Sequence, residues 1–384
     1  MMIDPRVIFT LLLATTIVFW VGQSESKVIF VAKSGDGSNG DSWDTAYTFI
    51  GDAFIASTTG DEVWVKGGRY VENLETAVPI TLLGGFDGSE RFDERDLRNP
   101  GENPTILDGN KLGSVLVANH DLNADGVTIT KGKGLGSGIR VVGSRLELNN
   151  VHVLANGENK NTLRGGGIYS TDSELIICDS VVNDNLVLQF GGGIYASNSS
   201  LHLVRTEFGN NISGFAGGGL SVNRSTVVIE QCLFTGNWIA FVGTGGGLSE
   251  EYGGAINSRL SIGVCSNSVF RKNFARIGSE VNIESGRISF QNCSFDMVSI
   301  FESFVAIYWS QNPPIFTNCI FAGRDDDTFT SFSADITYST IEGGYPGEGN
   351  IDADPKFVDP DHGDYHLLRG SPCIDSGTDT GLME

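Results

Sequence analysis

GGGIYSTDSELIICDSVVNDNLVLQF (residues 165–190) is followed directly by GGGIYASNSSLHLVRTEFGNNISGFA (191–216) and then by GGGLSVNRSTVVIEQCLFTGNWIAFVGT (217–244). The first two rows are 26 residues long and the third is 28. A fixed period of this size, carried by glycine-bounded β-branched and aromatic runs, predicts a solenoid whose coils bury apolar surface only by stacking on one another. Ten residues into each row stand Leu175, Leu201 and Val227; two further on stand Ile177, Leu203 and Ile229. Val182, Phe208 and Phe234 form a third apolar column, and Asn185, Asn211 and Asn237 a polar one. Alternation with period 2 inside short runs predicts strands with one face in a core. The density of glycine excludes helix across these rows.

The register extends in both directions. Upstream, GSGIRVVGSRLELNNVHVLAN from Gly136 places Leu146, Leu148, Val153 and Asn156 in the same columns. Downstream, the segment from Gly278 supplies Ile288, Phe290 and Phe295, and PIFTNCIF (314–321) supplies Phe316 and Phe321. The row between them is lengthened: GGGLSEEY (245–252) reads as an eight-residue excursion before GGAIN restarts the pattern at Gly253. An Asn recurring once per coil predicts a hydrogen-bonded amide ladder. The glycines at each row start predict positive φ and close strand approach.

These elements carry a resemblance. Paired GGGI, GGGL or GGAI and F-x-x-N elements on a solenoid period resemble the repeats of polymorphic outer-membrane proteins and, more broadly, right-handed parallel β-helix proteins of the pectin-lyase-like superfamily. Residues 29–108, with SGDGSNGDSWDTAYTFIGDAF and LLGGFDGSERFDERD, resemble the opening of secreted bacterial β-helix repeat proteins. GNIDADPKFVDPDHGDYHLLRGSPCIDSG (349–377) resembles their close. The resemblance implies an all-β, right-handed parallel β-helix solenoid. It leaves activity open, because that superfamily spans binding proteins and carbohydrate-active enzymes.

The expected organisation is a signal peptide (1–26), an N-terminal cap with the first coils (27–111), repeat coils (112–322) and a closing segment (323–384). Arg6 precedes an apolar run of fifteen residues ending at Val21, followed by GQSES, which predicts a cleaved export signal. That run is shorter than the ~20 residues of a membrane span, so no integral span is expected after cleavage, and the protein is expected to be secreted or displayed at a bacterial cell surface or outer membrane. An open β-helix end is an exposed sheet edge. Residues 42–57, with Trp43, Ala46, Tyr47, Ile50, Ala53 and Phe54 at helical spacing, predict a capping helix N-capped by Asp41 or Ser42.

With 25 basic against 47 acidic residues, the chain is unsuited to nucleic acid and to anionic membranes. Polyanionic pectin or alginate would need calcium as a bridge. Of six cysteines, Cys232, Cys293 and Cys319 share one column and read as small core residues. The reading allows one disulfide at most, Cys293 to Cys319. It places Cys178 and Cys265 three coils apart, roughly 14 Å at strand spacing, too far to join.

A lyase on such a solenoid needs gathered carboxylates with an Arg or Lys base, and a hydrolase needs two carboxyl groups roughly 5–9.5 Å apart. In the three clearest rows Asp172, Glu174, Asp179, Asp184, Glu207 and Glu230 occupy six different columns. Asp179 falls beside Arg205, which predicts a surface ion pair. The Gly-His-Gly and Arg-Ile-Lys elements of polygalacturonases are missing. Catalytic candidates are therefore confined to the excursion (Glu250, Glu251) and to the segment after the last strand pair (Arg324, Asp325, Asp327), with loop-tip solvation as the simpler reading. SGDGSNGDS (34–42) and DPDHGDYH (359–366) carry Asp at loop spacing that suits Ca²⁺, with turn and cap formation as the simpler reading; no other cofactor or metal is expected. His152 and His202 lack a second ligand in register for zinc. Phe190, Phe215, Trp238 and Phe241 lie next to successive row starts; exposed, they would form a ladder for sugar rings, although core filling beneath the turns is the simpler expectation. The sequence thus predicts a non-catalytic, exported β-helix for adhesion or glycan recognition, with an extracellular glycan or cell-surface partner. The alternative is a polysaccharide lyase, hydrolase or epimerase with a diverged site.

Overall fold

The computed structural model describes residues 26–158, 163–240, 252–296, 305–308, 313–323 and 334–379. The chain winds as a right-handed parallel β-helix. In the coil that opens at Gly165, Ile168–Thr171 lies in a first sheet, Glu174–Cys178 in a second and Val181–Asn183 in a third. Each strand pairs in parallel with its counterpart one coil on. Among the described residues the three sheets hold nine, twelve and eleven strands. Eleven steps of about 4.8 Å make the second sheet a stack roughly 50 Å long.

The expected columns form the interior. Leu146, Leu175, Leu201 and Val227 are consecutive partners in the second sheet, as are Leu148, Ile177, Leu203 and Ile229. Larger residues take over towards the C-terminal end. Phe208, Phe234, Phe270, Phe295 and Phe321 stack ring on ring, with centroids 4.7–5.0 Å apart. That interval is the strand spacing itself, so each ring is positioned by its own backbone.

One left-handed residue makes each corner. Asp172, Asn198, Arg224, Leu260 and Ser285 turn the chain from the first sheet into the second at φ of 49–53°. Asp179, Arg205, Gln231, Asn267 and Asn292 turn it into the third at 44–52°. Asp and Asn accept this conformation most readily. After the third corner comes the amide ladder. Asn185 Nδ2 donates to Asn211 Oδ1 at 3.0 Å and Asn211 Nδ2 to Asn237 Oδ1 at 3.0 Å, while each backbone N–H donates to the same oxygen at 3.1 Å. Every rung is buried. Gly191 and Gly217 open their rows at φ of 68° and 66°. A Cβ on Gly192 would lie 2.5 Å from the Gly218 carbonyl oxygen, so the second glycine is required by close approach.

Three details depart from the sequence expectations. Helix α1 covers only Ile50–Ala56, and neither Asp41 nor Ser42 caps it. Ser42 instead pairs with Thr45, and Glu72 from the next coil accepts the N–H groups of Ile50 and Gly51, both at 2.9 Å. Trp43 leaves the would-be helix to join Phe30, Trp64 and Phe86 in a small second core outside the second sheet. The stack also runs past Phe321: Asp335–Thr337 pairs with Ile315–Thr317, and Thr340–Ile341 with Ile320–Ala322. Finally, all six cysteines are free, which the expectation of one disulfide at most allows. Cys232, Cys293 and Cys319 are buried as expected, yet the Cys293 sulfur lies 3.9 Å from that of Cys265, a neighbour the sequence columns do not place beside it.

Candidate binding cleft

The outward side of the first sheet is where polar and aromatic chemistry collects. Tyr169, Tyr195, Ser221, Asn257 and Asn282 form one outward column, and Thr171, Ser197, Asn223 and Arg259 form the next. The Tyr169 and Tyr195 rings stack at 5.6 Å. Arg164 and Phe190, each just before a row start, are bridged to one another. The Arg164 guanidinium therefore lies over the Phe190 ring at 5.6 Å and the Tyr195 ring at 5.1 Å, and its Nη1 donates to the Tyr195 hydroxyl at 3.4 Å.

A cavity of about 230 Å³ opens between this aromatic–cation corner and Arg259. Its lining includes the side chains of Asn223 and Asn257: Asn223 Nδ2 reaches the Ser197 hydroxyl at 3.5 Å, and Asn257 Oδ1 accepts from the buried Asn282 Nδ2 at 2.7 Å. Arg259 donates to Glu284 at 3.1 Å, so its charge is partly compensated, whereas among the described residues Arg164 faces rings and a hydroxyl, not a carboxylate. None of the nine lining residues is acidic. Such a surface offers the half-buried Phe190 ring, hydroxyl and amide donors and acceptors, and a cation, while Tyr195 at 7% exposure lies beneath Arg164. It suits a polyhydroxylated ring, and among the described residues its lining holds no carboxyl pair.

Of the residues singled out from sequence, Phe190 and Phe215 are half-buried outside the core with ring centroids 6.0 Å apart. Trp238 is 52% exposed beside Phe274. The expectation that these rings fill the core is corrected: they flank the turn where successive coils meet. Phe241, Glu250, Glu251, Arg324, Asp325 and Asp327 lie outside the described residues. Arg164, Tyr195, Asn223 and Asn257 were not anticipated, although the repeated Tyr of GGGIY pointed outward by its own alternation.

In the two candidate calcium loops, Asp36 and Asp359 are occupied locally. Asp36 accepts the Ser38 N–H at 2.9 Å, and Asp359 accepts both the His362 N–H and its ring nitrogen. Asp179 and Arg205 make the expected ion pair, bidentate at 2.6 Å. A larger open groove of about 680 Å³ runs along the first corner. Its lining includes Asp121, Asp172 and Glu174 together with Arg145 and Arg224, and Arg145 is shared between Glu147 and Glu174 at 2.7 and 3.3 Å. Glu280 is buried where earlier coils place Gly167, Gly193 and Gly219. Its carboxyl accepts from Asn273 Nδ2 at 2.5 Å and so completes the inner ladder. Burial, aided by the charge of Asp296, pushes this carboxyl up to about 8 against the opposing Asn273 hydrogen bonds. At 1% exposure it is a structural acid out of a substrate's reach.

No family model and no curated protein matches the sequence. Among solved structures, the chain is similar to pectate lyase Pel9A, with a TM-score of 0.59 at 14% identity over 94% of each chain. The alginate lyase from Paenibacillus sp. str. FPU-7 is matched at a TM-score of 0.44 and 13% identity, over 85% of this chain and 99% of that one. The first likeness shows the fold class, a parallel β-helix used by carbohydrate-active proteins; at this identity it shows the fold alone.

Proposed function

We propose that this is an exported, non-catalytic β-helix protein of the cell surface or extracellular matrix that binds glycan on its first sheet. The observation that carries the reading is the cleft that Arg164, Phe190 and Tyr195 line together with the side-chain amides of Asn223 and Asn257, with no acid among the lining residues. The net charge of −22 supports a neutral or weakly charged glycan over a polyanion. The parallel β-helix of a pectate lyase supports polysaccharide as a ligand class, and it equally keeps a diverged lyase, hydrolase or epimerase as the second reading.

A panel of neutral and acidic polysaccharides with calcium present separates the two. Gel retardation should identify a ligand, with no unsaturated product and no new reducing ends. Phe190→Ala should weaken retention by roughly tenfold, the equivalent of losing one ring contact. Turnover that disappears in Glu251→Ala or Asp325→Ala would establish the enzyme reading instead.

A further inference from the structure

Cys265 and Cys293 reach the interior from opposite sides of one corner. Cys265 stands in the core column of the second sheet between Ile229 and Phe290. Cys293 follows the left-handed Asn292, just past the turn into the third sheet. Their sulfurs lie 3.9 Å apart, and the Cys293 sulfur is also 3.5 Å from the Cys265 carbonyl oxygen. Both residues are at most 1% exposed. Cys319, one coil further in the Cys293 column, also makes a side-chain contact with Cys293, and its sulfur lies 3.6 and 3.5 Å from the carbonyl oxygens of Phe290 and Thr317.

We infer that Cys265 and Cys293 are a disulfide-forming pair, joined when the chain folds in the presence of a disulfide oxidant, with Cys319 left as a thiol. Equivalent side chains in one column of a parallel stack run side by side, so Cys293 and Cys319 point along parallel directions. Cys265 and Cys293 are set on adjoining walls, and their side chains converge. The bond requires the two sulfurs to close from 3.9 Å to about 2.05 Å. The reaction is thiol–disulfide exchange. One thiolate attacks the oxidant and expels a thiol, and the second thiolate attacks the mixed disulfide and expels the other; two protons and two electrons leave the pair as the oxidant becomes two thiols. Because the pair is sealed once the coils have stacked, the bond forms during folding.

The test refolds the reduced full-length chain in a buffer of oxidised and reduced glutathione, then alkylates free thiols and maps peptides by mass spectrometry. Trypsin leaves Cys293 and Cys319 on one peptide, since no Lys or Arg lies between Arg287 and Arg324, so chymotrypsin is included. The expected product is two hydrogens lighter than the reduced chain, with Cys265 linked to Cys293 and Cys319 alkylated. Cys319→Ser should keep the link, and Cys265→Ser should abolish it. Should Cys265→Ser fold poorly, Cys265→Val restores an apolar residue to a column that elsewhere holds Ile and Leu. A Cys293–Cys319 link in the wild-type chain, a Cys293 cross-link that survives loss of Cys265, or fully alkylated cysteines after oxidative refolding would overturn the assignment.

Discussion

Glu280 has its charge state set by a single packing decision. Asn273 is the last described rung of the inner ladder, and in place of another amide it meets the Glu280 carboxyl. A protonated carboxyl still accepts a hydrogen bond without bringing a buried charge. Its value of about 8 in the folded protein exceeds 4.5, the ordinary one, so the stability it contributes is complete below pH 4.5 and is lost as pH rises towards 8. Over that window the loss should reach the order of a few kcal/mol. Urea midpoints at pH 5 and pH 8 should show it, and Glu280→Gln, neutral at both, should flatten the difference. A variant whose midpoints move with pH as much as wild type does would remove Glu280 from this role. Elsewhere in the ladder, Asn211→Ala leaves the Asn185 N–H and amide without their acceptor and the Val182 carbonyl without its donor. Chemical denaturation should register a loss of roughly 3 kcal/mol or more.

At the scale of the coil, one turn of chain repeats three strands, three left-handed corners and one glycine start. Leu201→Asp, at a position 2% exposed, would place an unpaired charge in the stack and should prevent cooperative folding, as read by circular dichroism. Gly192→Ala should be costly for a different reason: its Cβ would lie 2.7 Å from the Ile212 backbone, where no side chain can swing aside. Gly60→Ala meets nothing within 4 Å and pays only for its φ of 91°, so its thermal midpoint should fall far less. The strand columns and both polar uses of the repeat were legible because a 26-residue period lines up equivalent atoms without knowledge of the fold. The corners were not, since Arg224, Gln231, Leu260 and Lys272 adopt left-handed φ with side chains that carry no such preference. The capping helix was overextended because Trp43 and Tyr47 have helical spacing but serve other contacts. The Cys265–Cys293 contact stayed hidden because the lengthened row pairs Val227 with Gly263, which interrupts the apolar column that would have located Cys265 in the core. The cleft was half visible: its flanking rings fall at row boundaries, while Arg164 and the outer amides meet only when coils are stacked.

At the scale of the molecule, the described coils stack around an apolar interior in a chain of net charge −22, and their polar chemistry is presented along the sides. Among the described residues no helix is long and apolar enough to cross a membrane. Export is a proposal read from the first residues, and mass spectrometry of secreted protein checks it: a mature terminus near Ser26 is expected, and a chain still starting at Met1 counts against cleavage. The central claim is that the first sheet holds a glycan without cutting it. The most direct measurement is a crystal structure of the full chain soaked with the best-retained oligosaccharide. An intact sugar ring seated against Phe190, with hydroxyls on Asn223 or Asn257 and Arg164 within hydrogen-bond reach, is the predicted result. Density elsewhere on the rod, or a cleaved product, would contradict it.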